Sequence, residues 1–305
     1  MKKVEKELHV PVMMKEILEQ AQPVFADPAR EKLRYFDGTL GRGGHLGALL
    51  DREPRLEAVG FDRDPEALEY VGNQRQDWIT SGRLKLVHAN YADFNAENFE
   101  PFDFMLLDLG VSSPQLDEAR RGFSFYGDGP LDMRMDPTKG LTAADVIAQY
   151  SEDELNELFQ QYGEIQRPYR VTRAIVHDRK EKPFVTTREL AGLIERVEGW
   201  HRKGHHPATN FFLALRLRVN EELESTQNSL VPLILGLRNG GRLAVLTFHS
   251  LEDRIVKNLF KERLDLGAPV FKKVLKPEWT EAQKNPRARS AKLRVFERGS
   301  GREQT

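Results

Sequence analysis

The sequence predicts an α/β protein: an open, doubly wound, Rossmann-like sheet interrupted by an inserted helical domain. Three observations predict it. First, the run Leu33–Phe36 ends in Asp37, passes through the glycine-rich turn Gly38-Thr39-Leu40-Gly41-Arg42-Gly43-Gly44-His45, and enters the helix-like Leu46-Gly47-Ala48-Leu49-Leu50. Strand, glycine turn and helix open a nucleotide-binding α/β unit. Second, apolar strand-like runs alternate with helical patterns as far as Asp108, as a sheet built from βαβ units requires. Third, from Gly110 to His206 that alternation gives way to helical signals alone, and the strands resume afterwards.

The chain has 305 residues, enough for about two domains, with 39% hydrophobic and 30% charged residues and a net charge of −1. It has no cysteine, so disulfides and thiolate metal sites are excluded, and a cytoplasmic location is compatible. The start, Met1-Lys2-Lys3-Val4-Glu5-Lys6-Glu7, lacks the apolar core of a signal peptide, and no apolar run approaches a membrane span.

Two ligands compete for the glycine turn. A loose Gly41-x-Gly43 fingerprint would seat a dinucleotide's pyrophosphate on the helix N-terminus and make the chain a dehydrogenase. However, Asp37 closes the strand beside that turn, and Asp108 closes a later strand, Phe102–Leu107. Two carboxylates at one sheet edge repel a pyrophosphate and attract a cation. S-adenosylmethionine, with an ammonium, a sulfonium and no phosphate, fits that charge pattern better.

The second strand, Leu56–Phe61, ends at Asp62, at the distance from the glycines where an acid holds ribose hydroxyls in either kind of protein. Pro65 then starts a helix. A third strand, Leu84–His88, leads to Tyr91 and Asp93, candidates to contact an adenine. In the insert, Ser151-x-x-Glu154 and Thr186-x-x-Glu189 read as capping boxes. Leu155, Leu158 and Phe159 share one helix face, and Ile175 and Val176 mark another. His201, His205 and His206 have no acid at ligand spacing, so no metal is expected. From Pro207 a long helix carries Phe212, Leu215, Val219 and Leu223. Arg242–Phe248 is a further strand, with His249 at its carboxyl end, and Val270–Leu275 and Leu293–Phe296 are the expected last strands. Between those two lies the basic loop Lys284-Asn285-Pro286-Arg287-Ala288-Arg289. The sheet domain is thus expected over 1–109 and 207–305, and the insert over 110–206.

Long, ordered motifs resemble one family. They include Asp37–His45, Phe61-Asp62-Arg63-Asp64-Pro65, Asp108-Leu109-Gly110-Val111-Ser112-Ser113-Pro114-Gln115-Leu116-Asp117, Gly129–Asp136, His206-Pro207-Ala208-Thr209, Phe248–Arg254 and Asn285–Ser290. In these the chain resembles the bacterial small-subunit ribosomal RNA cytosine-N4 methyltransferases, the MraW family. The resemblance implies a class I S-adenosylmethionine-dependent methyltransferase sheet and an insert that helps hold RNA. It also implies a substrate cytidine near the decoding centre, in the ribosomal RNA or in the assembled small subunit. The oligomeric state, a homodimer included, stays open.

By that resemblance Gly43, Gly44, His45, Asp62, Tyr91, Asp108 and Gln115 contact the cofactor, although the family commonly has Phe where this chain has Tyr91. The chain also departs from the family at Ile165-Gln166-Arg167-Pro168, Asn210 and Leu213, all outside the cofactor motifs. For catalysis, Asp108, the turn Ser112-Ser113-Pro114, or both are expected to accept hydrogen bonds from the amine, and His249 to take the released proton. The alternative makes Asp108 purely a cofactor ligand and His249 a helix cap. A third function stays open beside methyltransferase and dehydrogenase: an RNA-binding assembly factor with a vestigial cofactor site.

Overall fold

The computed structural model describes residues 11–200 and 206–299. His201 and His205, the charged start Met1–Glu7, and the chain beyond Gly299 lie outside them. The chain divides into two compact units, one of residues 1–110 with 224–305 and one of 111–223.

The first unit is built on a seven-stranded sheet in the order β3-β2-β1-β4-β5-β7-β6. The strands are β1 Leu33–Asp37, β2 Leu56–Asp62, β3 Leu84–His88, β4 Phe102–Asp108, β5 Leu237–Thr247, β6 Gly267–Pro269 and β7 Lys292–Arg298. β1 to β5 are parallel, whereas β7 runs antiparallel between β5 and β6. This is an open, doubly wound α/β sheet with one antiparallel strand near its edge. The central strands are apolar throughout because helices cover both faces. Every residue of β4 except Asp108 is buried. Phe36, Phe61, Phe94 and Phe102 fill one face, and Leu46, Leu50, Tyr35 and Phe104 belong to the core on the other.

The helices of this unit before the insert are α1 Met14–Phe25, α2 Gly44–Arg52, α3 Pro65–Gln74 and α4 Gln76–Thr80. Asp64 caps α3 by accepting from the Glu66 backbone, and Pro65 stands in its first turn.

The second unit is helical: α5 Ser113–Asp117, α6 Ala143–Gln149, α7 Glu152–Gln161, α8 Tyr169–Asp178, α9 Thr187–Glu198 and α10 Thr209–Val219. Both expected capping boxes form, at Ser151/Glu154 and Thr186/Glu189. Its core gathers Leu155, Phe159, Ile175, Leu190, Ile194 and Phe211. The segment before α6 is clamped rather than slack. Asn220 donates to Met133 O at 2.7 Å and accepts from Met135 N at 2.7 Å, and a Cβ on Gly129 would sit 1.8 Å from Ala119 O. Gly129 thus satisfies close packing.

Three sequence expectations differ from the structure. The helix from Pro207 is not continuous. It stops at Val219, Glu221 turns left-handed at φ 49°, and α11 (Glu222–Gly236) begins. Because Phe211, Ala214 and Leu215 of α10 are buried in the helical core, that helix falls in the second unit and the boundary lies at 223/224 rather than 206/207. Likewise Val270–Leu275 is not a strand. It is stitched to β7 only at its ends, by Val270 N to Val295 O at 2.9 Å and by a bridge of Leu275 to Leu293. The remaining helices are α12 Ser250–Glu262 and α13 Trp279–Lys284. Among the described residues no helix is long and apolar enough to cross a membrane.

Candidate active site

The strand order reverses between β1 and β4, because β2 and β3 lie to one side and β5 to the other. In an open α/β sheet such a switch point leaves a crevice at the carboxyl ends of the strands. The residues at those two ends are Asp37 and Asp108.

Both carboxyls are held in poor solvent. Asp37 is 2% exposed; its oxygens accept from the Tyr35 hydroxyl at 2.8 Å and the Thr39 backbone at 3.2 Å. Burial nevertheless pushes its pKa up to about 7, those two bonds opposing the rise. Asp108 has fewer partners. Its backbone N–H donates to Thr39 Oγ1 at 2.6 Å, tying the glycine turn to the end of β4, but its Oδ1 is buried without a hydrogen bond among the described residues. Burial first, then the charges of Asp37 and Glu252, push its pKa up to about 8. Although the side chain keeps 28% of its surface, the orphaned oxygen is on the inner side.

Gly43 precedes α2 at φ 70°, a conformation that favours glycine, and no side chain caps the helix. A Cβ on Gly44 would lie 2.3 Å from Pro11 Cγ. His45, in the first turn, is buried. Its Nε2 lies 3.0 Å from Val12 O, which assigns the proton to that nitrogen, and its Nδ1 faces Asp108 Oδ2 at 3.7 Å. Burial lowers its pKa to about 4, so at neutral pH the ring carries no charge to compensate Asp108.

Asp62 closes β2. It accepts from Gly41 N at 2.7 Å and from Asp64 N at 2.8 Å, so it braces the glycine turn and starts α3. Burial raises its pKa to about 6 against those two bonds. Tyr91 is 7% exposed and packs with the aromatic core, its hydroxyl 3.2 Å from Thr226 Oγ1. Asp93 turns back to accept from Asn90 N at 3.1 Å.

His249 is the N-cap of α12: its Nδ1 accepts from Glu252 N at 3.5 Å. Its Nε2 lies 3.0 Å from Glu252 Oε1, but the angle is not that of a hydrogen bond. Glu252 is 1% exposed and accepts from Phe248 N at 3.0 Å. In the second unit, Ser112 and Gln115 form a capping box on α5, Gln115 accepting from Ser112 N at 2.9 Å, and Ser113 and Pro114 fill the first turn.

The sheet therefore brings Asp37, Asp62, Asp108, the Gly43–His45 turn and His249 to one edge, whereas Ser112, Ser113 and Gln115 belong to the second unit. Three contributors were not singled out from the sequence. Thr39 and Tyr35 look like a loop and a strand residue until register puts their hydroxyls on Asp108 and Asp37. Glu252 reads as helix surface until it is found buried. A cavity of about 940 Å³ elsewhere in this unit is lined by α1, Arg52, Glu278 and Glu281 and by none of the expected site residues.

The donor set is anion-rich: three carboxyls raised by burial, one with an oxygen lacking a partner among the described residues, and a neutral histidine. A pyrophosphate would add charge of the same sign, whereas an ammonium or sulfonium would supply the missing counter-charge. These residues fit S-adenosylmethionine, and they oppose the dinucleotide reading.

The description "MraW methylase family" matches residues 6–299. The chain is similar to a protein of Bdellovibrio bacteriovorus named "Ribosomal RNA small subunit methyltransferase H", 54% identical over 297 residues, which cover 97% of this chain and 90% of that one. Proteins of the same name from Coprothermobacter proteolyticus and Rhizobium meliloti are 41% identical (96% of this chain, 97% of that one) and 44% identical (94% and 86%). With the sheet and these matches, the chain belongs to the MraW methylase family.

Proposed function

We propose that the chain methylates the exocyclic N4 amine of a cytidine in small-subunit ribosomal RNA, near the decoding centre, in the cytoplasm. The observation that carries the chemistry is Asp108. It stands at the switch point with an oxygen that has no partner, beside a second raised carboxyl. The names of the relatives support ribosomal RNA as the substrate class.

The cofactor supplies an electrophilic methyl on a sulfonium. The protein must make a poor nucleophile attack it. The N4 lone pair is delocalised into the cytosine ring, and an acceptor for its N–H hydrogens pulls the nitrogen toward tetrahedral geometry. Asp108 Oδ1 and the Ser112–Pro114 turn are assigned that task. Methyl transfer forms the N–C bond, breaks the C–S bond, and leaves a cationic nitrogen that sheds one proton. His249 is assigned to hold α12 and Glu252 in place, with proton acceptance as the role that a rate measurement would reveal. Gly43, Gly44, His45, Asp62, Tyr91 and Gln115 are assigned to the cofactor, and positioning supplies much of the acceleration. The target base must leave its stack, at a cost of a few kcal/mol, and the second unit is assigned to bind RNA.

Mass analysis of small-subunit ribosomal RNA from a strain lacking this protein tests the reading. Loss of one N4-methyl group on a cytidine, restored by the parent gene and not by Asp108→Asn, is expected. An unchanged modification pattern would overturn it in favour of a non-catalytic assembly factor.

A further inference from the structure

One surface of the sheet unit is used by none of these roles. Between β6 and β7 the chain runs from Val270 to Ala291 through α13 and a short turn of helix, Pro286–Ser290. On it, Lys272, Lys273, Lys276, Lys284 and Arg289 are exposed, and none makes an ion pair among the described residues. Among them stands Trp279, 72% exposed. Its neighbours in the protein do not account for it: an exposed indole orders apolar surface in water at a cost, and here it lies on a cationic face instead of in a core.

The acids of the same segment are engaged by the start of the chain's first helix. Glu278 pairs with Lys15, and Glu281 Oε1 accepts from Met13 N at 2.8 Å, so both are committed to the start of α1. The charge left unpaired on this segment among the described residues is cationic, and it surrounds an exposed indole.

The topology puts this surface at the working edge. β7 pairs antiparallel with β5, and its first residue, Lys292, is opposite Thr247, the last of β5. Asp108 pairs with Leu246, one residue earlier. The segment that feeds β7 therefore leaves the sheet at the same carboxyl edge as Asp108. Side chains connect the two. Glu281 holds Met13, and the adjacent Val12 carbonyl lies 3.0 Å from His45 Nε2. His45 Nδ1 in turn faces Asp108.

We propose that Trp279 is a stacking platform for an unpaired RNA base near the target cytidine, with Lys272, Lys273, Lys276, Lys284 and Arg289 neutralising the phosphates on either side. An aromatic plane within a cationic track is the arrangement that holds single-stranded nucleic acid, because every base has a π-face and every nucleotide a phosphate. The proposal rests on the RNA reading above and adds that the substrate is engaged as a locally single-stranded segment. The two parts act differently, and that makes them separable. Stacking is nearly independent of salt. Phosphate neutralisation releases counterions and sets the slope of affinity against salt concentration.

The test uses the full chain, a cytidine-containing single-stranded oligoribonucleotide of about 12 nucleotides, and small ribosomal subunits lacking the methyl group. Trp279→Ala should weaken oligonucleotide binding about tenfold with an unchanged salt slope, and Trp279→Phe should restore most of it. Changing Lys272, Lys273 and Lys276 together to Gln should flatten the slope by about 2, at roughly 0.7 per phosphate. S-adenosylmethionine affinity should be unchanged in all of them, which controls for folding. Parent-like RNA affinity in Trp279→Ala overturns the platform while leaving the methyltransferase reading standing. A parent protein that neither binds the oligonucleotide nor methylates the subunits overturns that reading and the platform with it.

Discussion

Strand β4 begins and ends with a buried aspartate environment, and the two ends are opposites. At the amino end, Asp103 is fully buried, yet it is bonded by Arg30, by Arg238 at 2.8 Å and by the Arg34 backbone at 2.7 Å. Burial pushes its pKa up, and those donors pull it back. At the carboxyl end, Asp108 has two anionic neighbours and an oxygen without a partner, and its pKa is pushed up to about 8. One strand thus carries a charge that the fold compensates and a charge that it does not. The first reads as architecture. The second stores a demand for a cation that folding alone leaves unmet.

Four substitutions break or sharpen that contrast. The largest effect is expected at Asp103. Asp103→Ala strands Arg30 and Arg238 at a half-buried site and should cost about 3 kcal/mol of stability in denaturant unfolding, the range for removing one partner of a buried pair. Cofactor affinity of the folded fraction should not change. If stability holds, the amino end is not the compensated site described.

Next is the opposite end. In the folded state Asp108 binds its proton more tightly than in the unfolded chain, so stability falls as pH rises from about 4 through about 8. Asp108→Asn removes that penalty. It should raise the melting temperature of the cofactor-free protein at pH 8.5 by at least roughly 5 °C and change it little at about pH 3.5, at about 2–4 °C per kcal/mol. The opposite sign at pH 8.5 would mean that Asp108 has a counter-charge.

A smaller effect is expected at Asp62, whose oxygens brace Gly41 and Asp64. Asp62→Asn should weaken S-adenosylmethionine binding about tenfold, the scale of one charge-assisted hydrogen bond. An unchanged dissociation constant would limit Asp62 to bracing the turn.

The smallest is His249. As a helix cap, His249→Ala should cost about 1 kcal/mol of stability and leave single-turnover methyl transfer within a few-fold. A drop of more than a hundredfold with cofactor saturating would make it the proton acceptor instead.

The sheet was legible in the sequence because its strands are apolar runs closed by carboxylates and its turns are glycine-rich. Asp37, Asp62 and Asp108 could be placed at one edge before any coordinates, since strand–turn–helix units are wound in one direction. What was not legible depends on register or on contacts distant in sequence. Whether Asp103 and Asp108 are paired is decided by Arg30 and Arg238 on one side and by Asp37 and Glu252 on the other, none adjacent in sequence. The break after Val219 was hidden because Leu223 continues the apolar spacing, and only the left-handed Glu221 ends it. Val270–Leu275 has strand composition but meets β7 only at its two ends.

The most direct test is isothermal titration of S-adenosylmethionine into the parent and into Asp108→Asn at pH 7.5. The account predicts one cofactor bound per parent chain and at least about tenfold weaker binding by the variant, because the amide cannot supply the charge that the cofactor's cations meet. Parent-like affinity in Asp108→Asn would contradict it: the uncompensated carboxylate at the switch point would then not be what holds the methyl donor.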